Sequence, residues 1–256
     1  MRLGVSAVLR GDAVFDTHIH AYQLPARHRM ARECLVPAVN EDEWSDLVAL
    51  HQHHVHFWVA LGVHPQYADC WTPQHAMTLE RQLRKPGVVA VGEIGLDKRL
   101  NIPMRVQEQV LRSQLRLAVD LGKPVILHDV HCIGRLLSIL KEERVAAVGG
   151  VMHGFYGSVE MAQELVALNL GLGIGRLLLN AKSSRLPSVV KTVPAQSLVV
   201  ETDAPWRVAV ADWRRPLLDI ITAVADCRSW SVLDAVRITR NNARRILRVN
   251  GEGSHE

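Results

Sequence analysis

The chain holds four cysteines, Cys34, Cys70, Cys132 and Cys227, far apart and with no CxxC pair among them. That spacing excludes a small disulfide framework and a thiolate zinc site. No apolar run approaches the length needed to cross a bilayer. The stretch MRLGVSAVLRGDAVFD meets charge at Arg10 and Asp12 before any long apolar segment develops, and it lacks a small-residue cleavage pattern. A cytosolic protein without a membrane partner is therefore expected. Linkers, low-complexity tracts and internal repeats are missing as well, which leaves no reason to divide the 256 residues into two units. One domain is expected, with a core over about 13–248 and a flexible tail over 249–256. A net charge of +4 is too small to mark a nucleic-acid or membrane surface by itself.

What is present is enough apolar material for a sizeable core, 48% of residues against 22% charged. Eight β-rich runs recur along the chain: AVFDTHIH, CLVPAV, FWVALGVH, VVAVGEIG, PVILHD, VGGVMHGF, LGLGIG and SLVVETD. Most are continuous apolar runs, as parallel strands buried on both faces require. Segments of helical period lie between them, for instance Arg105 to Leu121 and Val232 to Leu247. Eight such alternations predict an α/β fold of the (β/α)8 TIM-barrel type, with an incomplete or distorted barrel as the alternative.

The unusual polar residues fall at the carboxyl ends of these runs. His18 and His20 close the first, His64 the third, Glu93 the fourth, His128 the fifth, His153 the sixth and Asp203 the eighth. An isolated HxH is more often a turn with two solvated histidines, and a lone strand-end histidine is more often a packed core residue. A set of six or seven at one topological position is different, because a barrel brings those ends to one mouth. Buried imidazoles and carboxylates are costly without a partner, and a metal supplies one. Four imidazoles and two carboxylates without a thiolate suit Zn, Mn, Fe or Mg chemistry and exceed the needs of one tetrahedral ion. Two ions fit better, with a carboxylate such as Glu93 able to bridge them at a spacing of about 3.5 to 4 Å.

With FDTHIH, ALGVHPQ, VGEIGLD, QLRLAVDLGKPVILH, HGFYGS, VVETDAPW and NNARRIL in this order, the chain resembles the TatD-type deoxyribonucleases of the amidohydrolase superfamily nearly end to end. The resemblance implies a divalent-metal-dependent hydrolase that cleaves phosphodiester bonds through a metal-activated water, as a 3′ to 5′ exonuclease on single-stranded DNA or RNA. It implies two divalent ions (Mg, Mn or Zn), one on His18, His20, Glu93 and Asp203, the other on Glu93, His128 and His153. Asp203 then also takes the proton of the attacking water. His64 resembles a substrate-phosphate or supporting residue, and Asp97 one that orients a ligand from behind. The pattern departs after His128, where Asp129 and Val130 replace the family's usual Ser-Arg pair. It departs again after Asp97, where Lys98 and Arg99 replace an aromatic pair and could act as cations.

Two loops are candidate nucleic-acid contacts. One carries Arg27, Arg29 and Arg32; the other interleaves Trp206 and Trp213 with Arg207, Arg214 and Arg215. Trp206 and Arg207 are the expected substrate contacts, since indoles stack on unpaired bases and cations follow the backbone. A charged solvated loop with packed tryptophans is the alternative reading. HQHHVH, from His51 to His56, reads as a helix end rather than a second metal site. Arg244 and Arg245 read as holding the last helix. A monomer is expected. The rival activities are hydrolysis of small amide or ester substrates and metal-dependent binding without turnover. Many binuclear enzymes of the first kind use a carboxylated lysine where this chain has Glu93.

Overall fold

The computed structural model describes residues 14–20, 33–180, 185–205 and 214–249. Eight strands are found there: β1 (Phe15–Asp16), β2 (Glu33–Pro37), β3 (Phe57–Leu61), β4 (Val88–Asp97), β5 (Val125–Val130), β6 (Gly150–Met152), β7 (Leu170–Ile174) and β8 (Leu198–Val200). They pair in sequence order and in parallel. The seam between β8 and β1 is closed by single hydrogen bonds, Thr17 N–H to Val200 O at 3.0 Å, Asp203 N–H to His18 O at 2.8 Å and His20 N–H to Ala204 O at 2.8 Å. The result is the expected (β/α)8 barrel.

The helices are α1 (Trp44–His53), α2 (Pro73–Leu83), α3 (Met104–Asp120), α4 (Ile133–Glu142), α5 (Val159–Ala167), α6 (Arg185–Thr192), α7 (Arg214–Arg228) and α8 (Val232–Leu247). In α3 the buried positions Gln107, Val110, Leu111, Gln114, Leu115 and Ala118 recur at three- and four-residue steps, so one stripe faces the sheet. Its two glutamines satisfy strand-end backbone. Gln114 accepts from Val63 N at 2.7 Å, and Gln107 accepts from Asp97 N at 2.9 Å. Gly122 (φ +65°) ends this helix in the left-handed region. Among the described residues no helix is long and apolar enough to cross a membrane. The four cysteines are unpaired.

One buried cluster gathers Phe15, Leu35, Ala60, Ala90, Ile126, Val151 and Val199, one from each of seven strands, and these are the inward-facing residues. Ala243, Ile246 and Leu247 of α8 join them, with Val249 beyond its end. Val249 is buried against this cluster.

Strand periodicity then places the site. Side chains alternate across a strand, so even steps from an inward residue also face inward. His64 lies four residues beyond Ala60, His128 two beyond Ile126, and His153 and Glu201 two beyond Val151 and Val199. Glu93 lies an odd three residues from Ala90, yet it also points in. The register of β4 against β5 shifts between Val91 and Ile94, and that irregularity restores the inward aim. The first strand is shorter than AVFDTHIH suggests. Its ladder ends at Asp16, and the chain bends at Thr17 and His18, where the Thr17 N–H turns to Val200.

Candidate metal centre

Glu93 stands at the middle of the mouth, 3% exposed. Its Oε2 is 3.3 Å from His18 Nε2. Its Oε1 is 2.9 Å from His128 Nδ1, 3.3 Å from His153 Nε2 and 3.9 Å from His64 Nε2. Asp203 Oδ1 lies 3.6 Å from His20 Nε2 and 3.8 Å from His18 Nε2. Three groups have ligand atoms close enough to share an ion: His18, His153 and Asp203; His18, His20 and Glu93; His64, Glu93 and His128. All six residues expected as ligands therefore meet, together with His64 and Asp97.

The donor set fits a divalent cation. His18 is fully buried, and both of its ring nitrogens lack a hydrogen-bond partner. An imidazole removed from water without a partner is costly, and a cation facing Nε2 is the partner this arrangement lacks. The charge balance agrees. Burial pushes the Glu93 carboxyl up, but the imidazoles of His18 and His153 and the hydrogen bond to His128 outweigh it and hold the group well below the carboxylate range. Burial would lower His153, but Glu93 and Glu201 raise it well above the usual imidazole value. A cation bound here would displace that proton.

His64 differs from the others. Its Nδ1 accepts the Gln66 N–H at 3.1 Å, so the neutral ring carries its proton on Nε2. Burial lowers its pKa to about 3 and keeps it neutral. A protonated Nε2 offers a donor rather than a lone pair. His20 is likewise lowered to about 4, first by burial and then by the neighbouring His18. Asp203 is raised by burial and adopts φ +55°, a strained backbone for a residue with a β-carbon.

Behind these groups stands a second set of carboxylates. Asp97 Oδ2 is 3.4 Å from His128 Nε2, and both Asp97 oxygens bond to Arg99, at 3.2 and 3.0 Å. Against burial, those partners hold the Asp97 carboxyl below the carboxylate range. Sequence reasoning missed Glu201. It is 1% exposed, with Oε1 at 3.2 Å from His153 Nδ1 and 2.5 Å from the Gly154 N. Room for it comes from Gly173, where a β-carbon would collide with the Glu201 carboxylate. Its even spacing from Val199 was the available signal. Asp16 was also missed: it accepts from the Thr202 hydroxyl at 2.6 Å and from Thr202 N at 3.0 Å, tying β1 to the end of β8.

The unusual Asp129 does not face the centre as a substrate contact. It is buried, accepts from Cys132 N at 3.1 Å and takes the Tyr156 hydroxyl at 2.8 Å. Arg244 and Arg240 reach Glu33 at 3.3 and 3.1 Å, and Arg245 reaches Gln196 O at 2.6 Å. They hold α8 as expected. His51 Nδ1 contacts Phe57 O at 2.9 Å at the end of α1, and the HQHHVH run forms no ligand group among the described residues. Trp206, Arg207 and Trp213, like Arg27, Arg29 and Arg32, lie outside the described residues, as do the side chains of Arg214 and Arg215.

Comparison with known proteins agrees with this geometry. The model of the TatD related DNase family matches residues 15–248. A 3′-5′ ssDNA/RNA exonuclease TatD from Edwardsiella piscicida is 32% identical over 89% of this chain and 93% of its own length. YabD of Bacillus subtilis, described as an uncharacterized metal-dependent hydrolase, is 28% identical over 93% of this chain and all of its own. The crystal structure of YjjV, a TatD homologue from Escherichia coli, superposes with a TM-score of 0.82 at 28% identity, over 93% of this chain and 99% of that one. The chain belongs to the TatD related DNase family and is a metal-dependent hydrolase of ester bonds.

Proposed function

We propose that the protein removes nucleotides from the 3′ end of single-stranded DNA or RNA, working with two divalent ions (Mg, Mn or Zn). The observation that carries this reading is the single Glu93 carboxylate faced on one oxygen by His18 and on the other by His128 and His153, which is the arrangement of a bridging ligand. The exonuclease names of relatives such as the Edwardsiella protein support the substrate class. In this reading His18, His20, Glu93 and Asp203 hold one ion, and Glu93, His128 and His153 the other. When bound, such ions lower the pKa of water and neutralise phosphate charge.

The chain's own groups do the rest. Asp203, beside His18 and His20 at the mouth, accepts the proton of the attacking water. His64 donates its Nε2 proton to a phosphate oxygen, since Nδ1 is already engaged by Gln66. Glu201 and Asp97 hold His153 and His128 in the orientation that keeps the opposite nitrogen towards Glu93. Trp206 and Arg207, which follow β8 in the sequence, contribute substrate contacts. Four unpaired cysteines support a reducing, cytosolic setting, and a monomer suffices because one chain supplies the whole donor set.

The test is digestion of a 5′-labelled single strand by metal-stripped protein to which Mg²⁺, Mn²⁺ or Zn²⁺ is returned. A ladder of strands shortened from the 3′ end is expected. Hydrolysis of small amides or lactones with no action on oligonucleotides would sink this reading.

A further inference from the structure

Beside the metal centre, the loops that follow β4 and β5 enclose a groove of about 510 Å³, within the size range of ligand sites. Its floor is aliphatic, formed by Leu100, Ile102, Met104 and Ile133, all half-buried. Lys98 and His131 are exposed at its rim. Asp97 forms part of the wall while its Oδ2 faces His128, so this carboxylate stands between groove and centre. Arg99 stands next to that junction, gripping Asp97 through Nε and Nη2 while its side chain remains 62% exposed. A guanidinium carries five N–H donors, so those not engaged by Asp97 are available to an anion. Arg135 also lines the groove, but Glu108 holds it in a two-point ion pair.

We infer that this groove receives one of the two nucleosides flanking the cleaved phosphate. The base lies on the aliphatic floor and the phosphate turns towards Lys98 and Arg99. The inference rests on the phosphodiesterase reading above and adds the subsite to it. Gln107 is the amide in the lining, and its side chain is already engaged: Oε1 accepts from Asp97 N, and Nε2 donates to the carbonyls of Asp97 and Ile102. The floor therefore meets a base by its face and reads none of its edge, which makes the contact tolerant of sequence.

The experiment compares a 5′-labelled single strand with strands lacking the base at either nucleoside next to the scissile bond. Each is cleaved by the wild-type protein and by Ile102→Asp, whose half-buried position lets the fold persist, as checked by circular dichroism. In the wild type, loss of one of these bases raises KM about tenfold, equivalent to about 1.4 kcal/mol. In Ile102→Asp the intact strand already shows the raised KM, and removal of the same base adds nothing. Arg99→Gln raises KM for all strands alike and flattens its dependence on salt by about one phosphate contact. Wild-type KM on both abasic strands, or additive effects in Ile102→Asp, overturns the subsite while leaving the phosphodiesterase standing. Absence of any wild-type cleavage removes both.

Discussion

Glu201 Oε1 lies 3.2 Å from His153 Nδ1, and this contact decides that Nε2, at 3.3 Å from Glu93, is the nitrogen turned to the centre. A carboxylate that accepts the far ring proton fixes the tautomer and raises the basicity of the near nitrogen. Glu201→Gln keeps the shape and removes the charge. Metal affinity should fall about 10- to 100-fold, measured by calorimetric titration of stripped protein with Mn²⁺ or Zn²⁺. An unchanged isotherm would deny Glu201 this role.

Asp203→Asn tests the proton acceptor. The amide cannot take a proton from water, so kcat should drop by about 10² to 10⁴ while the circular dichroism spectrum stays that of the wild type. Full turnover in the variant would remove Asp203 from the chemistry.

Asp16 predicts a pH signature in stability. Burial raises its carboxyl from 3.8 to about 7, partly offset by hydrogen bonds from Thr202 and His18. The folded state therefore binds this proton more tightly than the unfolded chain. Its contribution is fully present below 3.8 and is lost as pH rises towards 7. Asp16→Asn cannot ionise, so its urea midpoint relative to wild type should climb across that window and level off above it. The lowered His20 and His64 act in the opposite sense but are common to both proteins, so the difference isolates Asp16. Parallel curves would contradict the argument.

Tyr156 bridges two loops, accepting the His131 N–H at 2.7 Å and donating to Asp129 at 2.8 Å. Tyr156→Phe leaves both partners short of one bond. A loss of about 1 kcal/mol in urea-unfolding stability is expected, with metal affinity unaffected. A shift in metal affinity would show that Asp129 acts on the centre after all.

The barrel and the polar residues gathered at its mouth were legible because both follow short-range rules. Apolar runs announced the strands, and polar residues at their ends pointed to one mouth. His18, His20, Glu93, His128, His153 and Asp203 stood out because imidazoles and carboxylates are rare in such runs. Glu201 was hidden beside Asp203, since its importance depends on space left by Gly173 on the adjacent strand. Asp16 was hidden likewise, because its partner Thr202 is 186 residues away. The short first strand was overestimated because its alternation continues through His20, whereas the seam to β8 draws Thr17 out of the ladder.

The seam has a further bearing on the life of the polypeptide. His18 and His20 lie just past the first strand and Asp203 just past the last, joined by Asp203 N–H to His18 O. A nascent chain still on the ribosome lacks the final acid until most of its length has emerged. A donor set that spans the seam is therefore complete only once the cylinder has closed.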